Sequence, residues 1–198
     1  MKEKPNFLFI MCDQMRYDAL GCNGNTFINT PNIGRLAARG TNFSNAFTPD
    51  PICVPARACL TTGCYPVKCT GVKNNGGVIK GGFPLMAEEF NKRGYETFAI
   101  GKLHYLPYET SEIVRTTNGF RTVELAESGR IVKNCGREGA EEYLTYLKSV
   151  GWGGYSRANG LGNNDVFAAA SMIPAEYFVD AWVADRTLHH LDRHLKKN

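Results

Sequence analysis

Two short segments, the first a continuous apolar run, limit the choice of fold more than anything else in the chain. Asn6-Phe-Leu-Phe-Ile-Met11 and Tyr95 to Ile100 are too short for buried helices, and neither shows the alternation of a half-exposed strand. Runs of this kind read as strands buried on both faces, as in the middle of a parallel sheet. Each leads at once into polar groups: Asp13-Gln14 after the first run, and Gly101-Lys102-Leu103-His104 after the second. In open α/β sheets, binding sites are built at the carboxyl ends of strands.

Helical patterns lie between the runs. Thr30 can cap a helix that starts at Pro31, carries Ile33, Leu36 and Ala37, and stops at Gly40. Asn42 to Phe47 alternates and predicts a further strand. Pro55 to Thr62 predicts a short helix stopped by Gly63, and residues 70–84 a glycine- and asparagine-rich loop. Leu85 to Arg93 predicts another helix, Gly119 to Leu125 a strand, and Glu138 to Val150 an amphipathic helix bearing Tyr143, Leu144 and Leu147. A last helix is predicted from about Ala175 to Leu195. Its stripe comprises Phe178, Ala181, Trp182, Asp185, Leu188, Leu191 and Leu195. Strands alternating with helices argue for an α/β fold with a mainly parallel sheet sandwiched by helices.

Composition narrows the function classes. Of 198 residues, 43% are hydrophobic and 11% aromatic, which excludes a disordered or low-complexity chain. The net charge is only +4, and the one basic cluster, His189 to Lys197, reads as a solvated helix end, so no nucleic-acid partner is expected. No apolar stretch is long enough to span a membrane, and no signal peptide is visible, so the expected compartment is the cytoplasm. Seven cysteines, at 12, 22, 53, 59, 64, 69 and 135, are then expected as thiols. His190 and His194 share a helix face but have no third ligand, and read as a cation pair rather than a zinc site.

Chemistry concentrates in Cys53-Val54-Pro55-Ala56-Arg57 and its continuation to Gly63. A helix start there offers unpaired N–H groups, and Arg57 adds a cation one turn in, so an oxyanion is favoured. Taken alone, a buried cysteine beside an arginine is the plainer reading. The whole string C-x-P-x-R-x-x-L-x-T-G, matched by Cys53, Pro55, Arg57, Leu60, Thr62 and Gly63, resembles the signature of the sulfatase family, within the alkaline phosphatase superfamily. Ala56 stands where many members have Ser. Asp13, the Thr30-Pro31-Asn32-Ile33 helix start, Gly101-Lys102-Leu103-His104 and the helix over 181–195 extend the resemblance.

The resemblance implies an alkaline-phosphatase-like sheet and a sulfuric ester hydrolase acting on a small-molecule or glycan sulfate ester. Cys53 would be oxidised to formylglycine by a dedicated maturase that recognises Cys53 and Arg57. One hydroxyl of its hydrate would attack sulfur, and the second would then expel sulfate. Asp13 and Gln14, joined by residue 53, would ligate a divalent metal. Oxygen donors favour Ca²⁺, with Mg²⁺ or Mn²⁺ as substitutes. Arg57 would orient the nucleophile, Lys102 would hold a sulfate oxygen, and His104 would assist the nucleophile or bind substrate. Asn74 matches a substrate-side asparagine, and Asn75 is equally placed. Asp-Gln at 13–14 is similar to the branch of choline-sulfatase-like enzymes and phosphonate monoester hydrolases, which makes phosphonate or phosphodiester hydrolysis an alternative. Family members are more than twice this long, and their second halves carry further metal ligands. The expectation is therefore that residues 1–198 are the N-terminal part of a catalytic domain, inactive alone and prone to self-association through apolar surface on the last helix. A non-catalytic fragment that only binds an oxyanion is the third reading.

Overall fold

The computed structural model describes residues 4–66, 71–105, 117–127, 141–156, 161, 165 and 167–196. Cys69, Cys135 and the predicted helix start at 138–140 lie outside them. The chain divides into two compact units, Met1–Phe47 and Thr48–Asn198.

The first unit contains two 3-10 turns, Tyr17–Ala19 and Gly21–Asn23, and helix α1 (Pro31–Arg39). Pro31 occupies the first turn, as expected, but Thr30 does not cap it. Its hydroxyl instead accepts the Gly21 N–H at 2.9 Å, which ties the second 3-10 turn to the helix start. The run over 6–11 is not a strand, and Phe7, Leu8, Phe9 and Ile10 are each 62–71% exposed. Residues 42–47 are likewise irregular and exposed. A strand exists only through hydrogen bonds to a neighbour. Among the described residues the first unit supplies no such neighbour, so apolar content alone does not make one there.

The second unit is built on two parallel strands, β1 (Phe98–Gly101) and β2 (Thr122–Leu125). Phe98 stands beside Thr122 and Gly101 beside Leu125. Each strand alternates between half-buried and buried residues, so β1 is shorter than the predicted run and has two unlike faces. Ala99, Val123 and Leu125 pack with Leu103 and Phe120. On the other face Ile100 meets the larger core of Ala126, Tyr143, Leu147, Ile173 and Trp182.

Among its described residues this unit also has the helices α2 (Cys53–Thr62), α3 (Met86–Lys92), α4 (Glu142–Ser149) and α5 (Val179–Leu195). The predicted Tyr143 and Leu147 of α4 are buried, and α4 packs on β2 while α5 packs on β1. The last helix is not continuous from 175: a 3-10 turn at Ala175–Tyr177 and extended Phe178 precede α5. Its buried face is also rotated from the predicted stripe. Trp182 and His190 are buried, with Val179 and Val183 packed against the core, whereas Leu188, Leu191 and Leu195 are exposed.

The rotation has a polar cause. Glu124 projects from β2 and takes a two-point pair from Arg186, with Nε at 2.6 Å from Oε2 and Nη2 at 2.9 Å from Oε1. His190 Nε2 lies 2.6 Å from the same Oε1. Arg186 and His190 sit four residues apart, on one face of the helix. Packing them against the carboxylate turns Leu188 and Leu191 outward. His194 meets Glu96 at 3.1 Å, so the two histidines are partners of separate carboxylates rather than of each other.

Candidate active site

Helix α2 begins at Cys53 itself, two residues earlier than the proline suggested, with Ile52 as the N-cap. It is buried on most sides: Val54, Pro55, Arg57, Ala58, Cys59, Thr61 and Thr62 are all inaccessible. Val54 and Ala58 pack on Val72, with Ile79 beside them. Gly63 ends the helix in the left-handed region at φ 68°, returning its N–H to the Cys59 carbonyl at 2.8 Å, which is the reason a glycine stands there.

Ile52 has no side-chain acceptor, so the first-turn N–H groups need another partner. Asn75 supplies it across 21 residues: its Oδ1 accepts the Val54 N–H at 3.1 Å. Asn74 Oδ1 instead accepts the Gly76 N–H at 2.9 Å and closes its own turn. Of the two asparagines between which the sequence did not decide, Asn75 touches the helix that bears Cys53. Substituting Asn75 by alanine is expected to destabilise the second unit by about 1 kcal/mol, as for other lost N-terminal caps. Urea denaturation would read this, with Asn75→Asp retaining most of the stability. An unchanged midpoint for Asn75→Ala would remove the cap from the account.

The segment leaving β1 forms the opposing wall. Gly101 has φ 103°, and a side chain there would crowd Val183 at 3.3 Å. Lys102 follows and brings Nζ to 3.7 Å from Cys53 Sγ. His104 is buried, with φ 39°. Tyr105 is buried beside it. Burial pushes its phenol above the ordinary value, the Thr61 hydroxyl and the Arg57 cation oppose that rise, and Glu127 adds to it. Arg57, Thr61 and Glu127 are therefore electrostatic neighbours of Tyr105. Glu127 was not anticipated: its Oε1 accepts the backbone N–H groups of Leu103 and His104, both at 2.9 Å.

Cys53 is a half-buried free thiol; Cys12, Cys22, Cys59 and Cys64 are also free, Cys12 exposed and Cys59 buried. Asp13 and Gln14 belong to the first unit, where both are exposed and Gln14 has φ 56°. A carboxylate and an amide oxygen suit a hard divalent cation by donor type. Among the described residues no group of three or more His, Cys, Asp or Glu is gathered as a metal cluster.

A family model described as Sulfatase matches residues 5–155, which include every residue singled out above for chemistry. The chain belongs to the sulfatase family. An arylsulfatase of Clostridium perfringens is 46% identical over 104 residues, covering 52% of this chain and 22% of that protein. The matched part thus spans about a fifth of the length of such curated relatives. Among solved structures, the phosphonate monoester hydrolase of Agrobacterium radiobacter superposes with a TM-score of 0.68 at 23% identity, over 91% of this chain and 36% of that one. A second structure, solved in complex with its substrate D-glucosamine-2-N,6-O-disulfate, gives a TM-score of 0.54 at 29% identity, over 61% of this chain and 23% of that one. The alkaline-phosphatase-like α/β fold of these sulfatase-type structures is the fold of this chain. No helix among the described residues is long and apolar enough to cross a membrane.

Proposed function

We propose that this chain carries the nucleophile side of a sulfuric ester hydrolase, with Cys53 matured to formylglycine. The observation that carries the reading is the approach of Lys102 Nζ to Cys53 Sγ at 3.7 Å, at the first turn of α2. A cation and a helix N-terminus then converge where an anionic ester would meet residue 53. Hydrated formylglycine supplies a hydroxyl nucleophile for the ester sulfur and a second hydroxyl that releases sulfate. A divalent cation, Ca²⁺ favoured, fits the oxygen donors of Asp13 and Gln14 and would supply Lewis acidity toward sulfate oxygens.

The chain's own side chains divide the remaining work. Lys102 holds a sulfate oxygen as a point charge. Arg57, one turn along α2 and buried, orients residue 53. His104 moves a proton at the nucleophile or at the leaving oxygen. Asn75 already occupies the Val54 N–H, so that amide is not left for the anion, and Lys102 carries more of the anion's charge.

Co-expression with a formylglycine-generating maturase tests the reading. Peptide mass spectrometry is expected to show the Cys53 peptide as an aldehyde that reacts with an aminooxy probe, and Cys53→Ala to give none. A thiol that stays intact beside an active maturase counts against the function. With the matured protein, preference for an aryl phosphonate over an aryl sulfate would move the assignment to phosphonate ester hydrolysis.

A further inference from the structure

One buried carboxyl group beside the site has no role in this chemistry. Glu127 is 4% exposed and lies two residues beyond β2. The register that sets Gly101 beside Leu125, continued, sets Leu103 level with Glu127. The pairing does run past the strands, since the Ala126 N–H donates to the Gly101 carbonyl at 3.0 Å. From that position a single oxygen, Oε1, takes the N–H groups of two consecutive residues, Leu103 and His104, at 2.9 Å each. Two adjacent amides can converge on one atom only if the backbone bends sharply between them. The chain stays bent just past the second amide: His104 has φ 39°, a left-handed conformation that residues with a Cβ adopt only when their surroundings hold them there. Lys102, whose Nζ lies 3.7 Å from Cys53 Sγ, immediately precedes this bent segment, and His104 is part of it.

We propose that Glu127 is the positioning residue of this site. Its carboxyl group holds the Leu103–His104 backbone in the bend that aims Lys102 Nζ at the side chain of residue 53. A carboxyl oxygen suits the task because it offers two lone pairs at one point and, buried, has no water competing for them. The inference rests on the reading of Lys102 and Cys53 as parts of one oxyanion site, so geometry and anion binding are measured separately.

Geometry is read on the full, unmatured chain with a short maleimide–succinimidyl cross-linker and peptide mass spectrometry. The wild type is expected to yield a Cys53–Lys102 link. Glu127→Ala is expected to lower its yield about fivefold, the effect of losing a hydrogen bond, against other Cys–Lys links in the same digest. Glu127→Gln keeps an oxygen for both amides and is expected to restore the link. Glu127→Asp keeps the buried carboxyl but falls one methylene short, so it is expected to fold and lose the link even where the alanine variant does not fold. Binding of inorganic sulfate, followed by calorimetry, should track the links, with Glu127→Ala and Glu127→Asp about tenfold weaker than wild type and Glu127→Gln close to it. Retention of the link in Glu127→Asp or Glu127→Ala overturns the proposal. So does a loss in Glu127→Gln as complete as in Glu127→Asp, which would mark a role in packing alone. If the wild type binds no sulfate, the functional reading fails, and the cross-link series still decides for or against Glu127.

Discussion

Glu124→Ala is expected to be the most destabilising polar substitution in the second unit, at about 3 kcal/mol near neutral pH. The carboxylate joins β2 to α5 through Arg186 and His190, with side chains only 14%, 29% and 10% exposed. Removing it leaves a guanidinium and an imidazole facing an apolar cavity between strand and helix, so the cost exceeds that of one hydrogen bond. The Arg186 pair, opposed by burial and helped by His190, holds the Glu124 carboxyl well below its ordinary value, at about 2. Its folded value lies below its unfolded value, so the native state binds fewer protons between the two. The stabilisation is therefore complete above about pH 5 and is lost as pH falls from the unfolded value through the folded one. Thermal or urea unfolding from pH 7 to pH 2 should show this loss in the wild type and a flatter acid limb in Glu124→Gln. Equal stability of Glu124→Ala and wild type at pH 7, or identical acid limbs for Glu124→Gln and wild type, would sink the account.

The same cluster shows why sequence reading found the end of α5 and misjudged its face. Leucines at 188, 191 and 195 repeat at helical spacing, and counting apolar residues puts them inward. The structure orients the helix by Arg186 and His190, whose partner lies more than sixty residues earlier on a strand. Periodicity measures apolar content along one element. A polar contact between two elements leaves no trace in either one's period.

The opposite error was made at the start of the chain. The run over 6–11 has the composition of an interior strand and is exposed in the first unit. Strand β1, with similar composition, does form, because β2 pairs with it residue for residue. Composition states what a segment needs buried. Whether it becomes a strand depends on a neighbour that the segment does not encode.

Cys53, Arg57, Lys102 and His104 were chosen as motif residues, and the structure brings Lys102 to Cys53 across 49 positions. Asn75 was one of two candidates. Glu127 was missed, although a usable signal existed: a carboxylate just past the end of a strand predicted to run parallel to the one that delivers Lys102. The motifs name the groups proposed for the chemistry. The residues that hold those groups act through backbone amides, and backbone amides have no sequence signature.

Lys102→Ala is the substitution expected to affect the site most. Charge-assisted hydrogen bonds are worth roughly 2 kcal/mol, so inorganic sulfate should bind the chain at least about tenfold more weakly once the ammonium is gone. Its Nζ lies 3.7 Å from the Cys53 sulfur, whereas the nearby Asn75 is neutral and its side-chain oxygen closes a helix amide. Lys102→Arg restores charge but carries a broader, planar head where a compact cation fits, and should recover only part of the affinity. Fold is a separate matter: Lys102 is half-buried and follows the end of β1, so the alanine variant should unfold within about 0.5 kcal/mol of wild type, as surface substitutions do. Because one positive charge is removed, sulfate binding should also lose part of its dependence on ionic strength, an effect that a packing defect would not produce. Affinity for sulfate and its salt dependence both unchanged in Lys102→Ala would detach this lysine from the anion site, and with it the main physical support for sulfate ester chemistry at Cys53.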